Sequence, residues 1–184
     1  HDGHATLLER SREENDVTVL SIFVNPTQFN DPKDLEKYPR TLEADLAVAS
    51  KHGVEAVFLP DFQEIYPDQY RYKVSEDSLS RTLCGAHRPG HFDGVLTVVL
   101  KLLNLVQADH AYFGEKDFQQ LELVRGMVEA FFLPVRIVQV PTVREPDGLA
   151  MSSRNTRLTP EQRELAPSFA RALRSATSAE EAAE

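Results

Sequence analysis

The sequence predicts an α/β fold: a Rossmann-like parallel sheet with helices on both faces, of the nucleotidyltransferase type. Three observations carry this expectation. Short β-branched and aromatic runs recur along the chain, at residues 17–24, 54–60 and 135–143. Segments of helical period separate them, and strands alternating with helices give a parallel sheet with both faces covered. The length, 184 residues with 41% hydrophobic and 27% charged, is enough for one domain with a real core and the start of a second.

Each element has its own reason. "HATLLERSREEN" (4–15) places Leu7 and Leu8 among charges at helical spacing. The run over 17–24 suits a buried parallel strand that ends at Asn25-Pro26, because proline cannot continue a ladder. "TLEADLAVASKHG" (41–53) reads as an amphipathic helix closed by Gly53, and "VEAVFLP" (54–60) as a second strand. Residues 61–92 are polar and turn-rich, and are expected to be irregular. "FDGVLTVVLKLLNLVQ" (92–107) is apolar nearly all round and predicts a buried helix. "DHAYFGEKD" (109–117) is a strand entering a turn. "DFQQLELVRGMVEAFF" (117–132) is a helix with apolar positions 121, 124, 127, 128 and 131, and "VRIVQVPTV" (135–143) is another strand. Residues 159–184 predict one helix with Thr159 as N-cap and Pro160 at its first position. Its Ala/Glu-rich end, from about 176, reads as a fraying helix or the start of a linker.

A formal net charge of −9 argues against a broad nucleic-acid surface, while leaving room for a local cluster of anion donors. Cys84 is the only cysteine, so no intrachain disulfide can form, and a reducing, cytoplasmic location is expected. No apolar run reaches 18 residues, so no membrane partner is expected either.

In α/β folds ligands collect at the carboxyl ends of the strands. The chemistry-bearing segments sit there: "FVNPTQF" with Asn25 and Gln28, "FGEKDFQQ" with Gly114, Glu115, Lys116, Asp117, Gln119 and Gln120, and "VREPDGLAMSSRN" with Arg144, Met151, Ser152, Ser153, Arg154 and Asn155. "HDGH" puts His1 and His4 on one side of a first helical turn, where free N–H groups and the helix dipole favour an anion. Taken alone, H-x-x-H fits ordinary surface histidines as well, and "GEKD" fits a solvated turn. Lys116 offers a point charge for phosphate, and Arg154 with two serines suits a polyphosphate. "HRPGHFDG" adds Arg88 and His91 in a tight Pro-Gly turn. The chain has no G-x-x-x-x-G-K-[ST] loop, no G-x-G-x-x-G and no G-x-S-x-G, so a nucleotide would be held in another way, and serine hydrolysis has no support.

In combination these segments carry a resemblance. "HDGH" resembles the HIGH motif of the nucleotidyltransferases that include class I aminoacyl-tRNA synthetases, and "MSSRN" sits where that superfamily has KMSKS. With "FVNPTQF", "YPRTLEADL", "HRPGHFDGVLTVVLKLLNLV" and "FGEKDFQQL", residues 1 to about 165 resemble the pantoate–β-alanine ligases. The resemblance implies an AMP-forming C–N ligase that joins pantoate to β-alanine through pantoyl adenylate, in a cytoplasmic homodimer. It implies that His1 and His4 contact the ATP phosphates, with His4 as proton donor. Gly114, Glu115, Lys116 and Asp117 would line the nucleotide, Val143 would meet adenine, and Met151, Ser152, Ser153 and Arg154 would close over the phosphates. Gln28 and Gln120 would hold pantoate, with Gln28 also near β-alanine. Asp45 would be the protein's contribution to Mg2+; Ala44 stands where relatives often have a second acid, which favours a water-mediated shell.

Residues 1–145 are expected to form the Rossmann-like domain, and 146–184 the phosphate loop and the opening of a small C-terminal domain. The resemblance also implies that a first strand and most of that second domain lie outside this sequence. The chain alone would then be weakly active, or only a nucleotide-binding piece of the enzyme. A different class, a zinc hydrolase using His1, His4, His87 and His91, is compatible with the histidine spacing but leaves the Lys, Ser and Arg segments without a role.

Overall fold

A computed structural model describes residues 1–178. The sequence expectation for 179–184 lies outside the described residues. Helix α1 (Asp2–Glu14) leads to strand β1 (Val19–Ser21) and a 3₁₀ turn at Pro26–Gln28. Helices α2 (Pro32–Glu36) and α3 (Leu42–Lys51) precede strand β2 (Ala56–Phe58). Then come α4 (Phe62–Ile65), a 3₁₀ turn at Leu79–Arg81, α5 (Leu83–His87) and the long α6 (His91–Val106). Strand β3 (His110–Gly114), a 3₁₀ turn at Glu115–Asp117, helix α7 (Phe118–Ala130) and strand β4 (Arg136–Val140) follow. A 3₁₀ segment at Ser153–Arg157 and helices α8 (Pro160–Leu165) and α9 (Pro167–Ser175) end the described chain.

Among the described residues the four strands pair in parallel, in two separate ladders: β1 with β2 (Val19 opposite Ala56) and β3 with β4 (His110 opposite Arg136), with one isolated antiparallel bridge between Arg144 and Ala150. Helix α1 ties the ladders together. Its Ser11 hydroxyl lies 3.1 Å from that of Thr18, just before β1, and Asn15 Nδ2 donates to the Tyr112 hydroxyl of β3 at 2.7 Å. Helix α6 sits between two apolar clusters. Phe92, Val95 and Leu96 pack with Leu123, Val124 and Met127 of α7, while Val98 packs with Ile65 and Tyr66. This explains why the first half of α6 is buried nearly all round, polar His91 and Thr97 included.

Several expectations need correction. The run at 17–24 yields only three strand residues, although hydrogen bonds continue the pairing at both ends, from Glu55 N to Thr18 O and from Ile22 N to Phe58 O. Residues 61–92 hold short helices. One begins with a capping box, in which Asp61 accepts from Glu64 N and Glu64 accepts from Asp61 N. Burial of α6 fades along its length, and Leu105 is 57% exposed. In α7 the buried set includes Leu123, whereas Phe131 lies beyond the helix and is exposed. The helix expected from 159 is two helices, because Pro167 removes an N–H from the helical ladder and starts α9. Its start is as expected: Thr159 accepts from Gln162 N and Gln162 returns the bond to Thr159 N. Helix α3 ends just before Gly53, whose φ of +70° lets the chain turn into β2.

Candidate active site

The segments that leave β1 and β3 meet in one cavity of about 230 Å³. Asn25, Gln28, Arg88, His91, Asp117, Gln120 and Arg154 line it, with Phe23, Val24, Phe29 and Tyr38 as its apolar wall. Its volume falls below the roughly 300–1,000 Å³ of pockets for drug-sized ligands, so it suits a small acid better than a whole nucleotide.

Gln28 reaches the cavity because the 3₁₀ turn is anchored from several sides. Proline opens the turn, and the buried Asn25 caps it by accepting from Thr27 N at 3.4 Å. Asn25 Nδ2 also donates to Gly94 O and to Gln28 Oε1, each at 3.1 Å, and Tyr66 donates its hydroxyl to Asn25 Oδ1 at 2.9 Å. A side chain at position 94 has no room: a Cβ there would lie 2.6 Å from Thr27 O.

Arg154 enters from the 3₁₀ segment after Ser152. Its guanidinium lies over the Tyr38 ring, 5.3 Å from the centroid, and its Nη2 donates to Asp34 at 2.9 Å. Arg157 takes the other oxygen of the same carboxylate at 2.7 Å and also donates to Lys37 O at 2.7 Å. Hydrogen bonds from Arg157 and then Arg154 hold the Asp34 carboxyl below its ordinary pKa. The polar loop is thereby tied to α2.

At the start of α1 the His1 and His4 rings stack, with centroids 3.9 Å apart. Gly3 keeps this turn close to the loop, since a Cβ there would approach His1 Nδ1 at 3.0 Å and Met151 Cβ at 3.7 Å. Partial withdrawal from water lowers the His4 pKa, Lys116 adds to the effect, and Asp45 opposes it. Much of the His4 side chain still reaches solvent, which limits how far the depression can go. Lys116, in turn, sits 3.6 Å from the Asp117 carboxylate, which lines the cavity. Asp117 thus adjoins Lys116, whose charge also acts on His4, and lines the same cavity as Gln28, Gln120 and Arg154.

The remaining candidates divide. Gln119 is occupied structurally: it donates to Leu79 O and Thr82 O and accepts from Cys84 N. Asn155 is tied to Ala150 O, and Arg144 to Gly148 O. Ser152 caps its own segment by accepting from Arg154 N at 3.2 Å, and Ser153 begins that segment, half-buried. Val143 O already accepts from Met151 N at 3.0 Å. Gly114, with Glu115 after it, faces open space where a Cβ would be, so a ligand can approach the backbone there. Asp45 is half-buried in the first turn of α3 and accepts from the Thr41 hydroxyl at 3.3 Å. The four-histidine zinc reading is not supported: His91 bonds Gln28 O, His87 is exposed, and among the described residues no group of three or more His, Cys, Asp or Glu could hold a metal. Asp34, Tyr38 and Phe29 were not singled out from the sequence. Asp34 and Tyr38 stand in a polar surface stretch with no local pattern to mark their contact with distant Arg154, and Phe29 packs edge-on against Tyr38.

The family model for pantoate-beta-alanine ligase matches residues 1–184. The chain is 62% identical over 183 residues to pantothenate synthetase of Bdellovibrio bacteriovorus, covering 100% of this chain and 73% of that one. It is 57% identical over 171 residues to the Legionella pneumophila pantothenate synthetase, covering 93% of this chain and 68% of that one. Among solved structures, pantothenate synthetase from Thermus thermophilus superposes with a TM-score of 0.92 at 52% identity, covering 95% of this chain and 64% of that one. The Francisella tularensis pantoate-beta-alanine ligase, complexed with beta-gamma ATP and beta-alanine, gives 0.93 at 42% identity, covering 99% of this chain and 71% of that one. This chain belongs to the pantoate–β-alanine ligase family.

Proposed function

We propose that the protein carrying this chain condenses pantoate with β-alanine at the expense of ATP, releasing AMP and pyrophosphate. The observation that carries the reading is one cavity lined by Gln28, Gln120 and Arg154, joined through Asp117 to Lys116 and the stacked His1–His4 pair. A pantoate carboxylate oxygen bonds to the α-phosphorus as the bond to pyrophosphate breaks. The β-alanine amine then bonds to the acyl carbon as AMP leaves, and the ammonium form gives up two protons in all, one N–H remaining on the amide. Negative charge grows on the departing oxygens in the first step, where Lys116, the imidazoles and Arg154 are the available donors. The two glutamines read hydroxyl and carboxylate groups, and Gln28 also serves the β-alanine end.

Gly114 through Asp117 form the nucleotide wall, with Val143 at adenine and Met151 through Arg154 over the phosphates. Asp45 would hold magnesium, as a single carboxylate next to Ala44, which suits a metal bound mainly by phosphate oxygens and water. Bound magnesium neutralises triphosphate charge. Residues 1–145 make the Rossmann-like part and 146–184 the phosphate loop and the start of a second domain, within a homodimer.

The test follows labelled pyrophosphate exchange into ATP, and AMP release. Exchange that needs pantoate but not β-alanine, with AMP release needing both, is expected. AMP release that ignores pantoate overturns the reading.

A further inference from the structure

We infer that Arg88 and His91 are positioning residues which clamp the backbone of Gln28, with His91 fixed as the neutral tautomer that carries its proton on Nδ1. The inference deepens the ligase reading, since it assigns the device that aims the pantoate-side amide.

The hydrogen-bond partners dictate the tautomer. His91 Nδ1 lies 2.8 Å from Gln28 O, and a carbonyl only accepts, so Nδ1 carries the hydrogen. His91 Nε2 lies 3.1 Å from Arg88 Nη1, and a guanidinium only donates, so Nε2 is the bare acceptor. Arg88 Nη2 closes the triangle on the same Gln28 carbonyl at 3.3 Å. An imidazolium would set a donor against a donor. The ring is buried, which favours its neutral form. The charged groups facing it are Arg88 on its own turn, Arg154 from the loop and Asp117 after β3; the arginines disfavour protonation and Asp117 favours it.

The same logic sets the polarity of the Gln28 side chain. Asn25 must present Nδ2 to Gly94 O, so the Gln28 atom at 3.1 Å from that nitrogen is Oε1. The remaining amide group of Gln28 is therefore its NH₂. With the backbone clamped on one side and Oε1 held on the other, Gln28 offers the cavity a donor. It selects a ligand that brings an acceptor, a carboxylate or hydroxyl oxygen. Gly90, at φ +75°, makes the turn that lets both clamp residues reach back to the same carbonyl.

Two measurements test this on the full-length protein. Long-range ¹H–¹⁵N correlation of histidine-labelled protein should show the His91 ring neutral and protonated at Nδ1 at pH 7. A cationic ring, or a proton on Nε2, overturns the clamp. Steady-state kinetics should show His91→Ala, His91→Gln and Arg88→Ala raising the KM for pantoate about tenfold or more, with the KM for ATP unchanged. His91→Asn, which keeps a donor near the Nδ1 position, should recover much of the loss. An unchanged pantoate KM in folded His91→Ala and Arg88→Ala, or an equal rise for ATP, overturns it. If the wild-type protein shows no ligase turnover, the functional reading fails while the ring spectrum still decides the clamp.

Discussion

Gln28 and Gln119 carry the same side chain, and their partners separate them. Gln119 spends both ends of its amide on the turn at 79–84, whereas Gln28 keeps an NH₂ for the cavity. Tyr66 shows how far back the support for such a residue runs. It is 1% exposed, and its hydroxyl donates to Asn25, which in turn holds Gln28. Tyr66→Phe removes that donor but leaves Asn25 Oδ1 with Thr27, so no acceptor is stranded. The expected cost is about 1 kcal/mol of stability, read as a lower urea midpoint at unchanged slope.

At the scale of elements, α6 and the 3₁₀ turn at Pro26–Gln28 touch backbone to backbone at Gly94. A Cβ there would lie 2.6 Å from Thr27 O and 2.9 Å from Gln28 Cα, and neither can swing aside as a side-chain tip could. Gly94→Ala should therefore destabilise by about 1–3 kcal/mol and displace Gln28. Gly126, exposed within α7, meets nothing within 4 Å, so Gly126→Ala should stabilise by about 0.5–1 kcal/mol. Thermal unfolding of the two variants should move in opposite directions. The bridge from Asp34 to Arg154 and Arg157 is partly exposed and adds little to stability. Its effect is to fix where the loop sits.

For the molecule as a whole, acid is the informative stress. Hydrogen bonds from Tyr72 N and then Lys101 hold the Asp68 carboxyl at about 2, linking α6 to the segment after α4. A depressed carboxyl stabilises above its unfolded pKa of roughly 4 and loses that contribution as pH falls through the folded value. Between pH 5 and 2 the wild-type urea midpoint should therefore fall more steeply than that of Asp68→Asn. A parallel fall in both proteins would assign the acid sensitivity to other groups.

Helices α1, α3, α6 and α7 and the four strands were legible because hydrophobic period and Pro, Gly and Thr signals act within a few residues. Strand lengths were less so, because they depend on what pairs alongside; the break at Pro167 was signalled by the proline itself, and the expectation of one helix from 159 passed over it. The site was legible as segments, through motif resemblance, without its internal assignments. Sequence alone determined an α/β chain with parallel strands whose polar exits are rich in phosphate-binding residue types, since local propensity and patterning suffice for that. Only the tertiary structure decided which of those side chains remain free for a ligand. Hydrogen-bond partners from distant segments, Gly94 on Asn25 and Asp34 on Arg154, settle that question by distance and direction, which no linear spacing encodes.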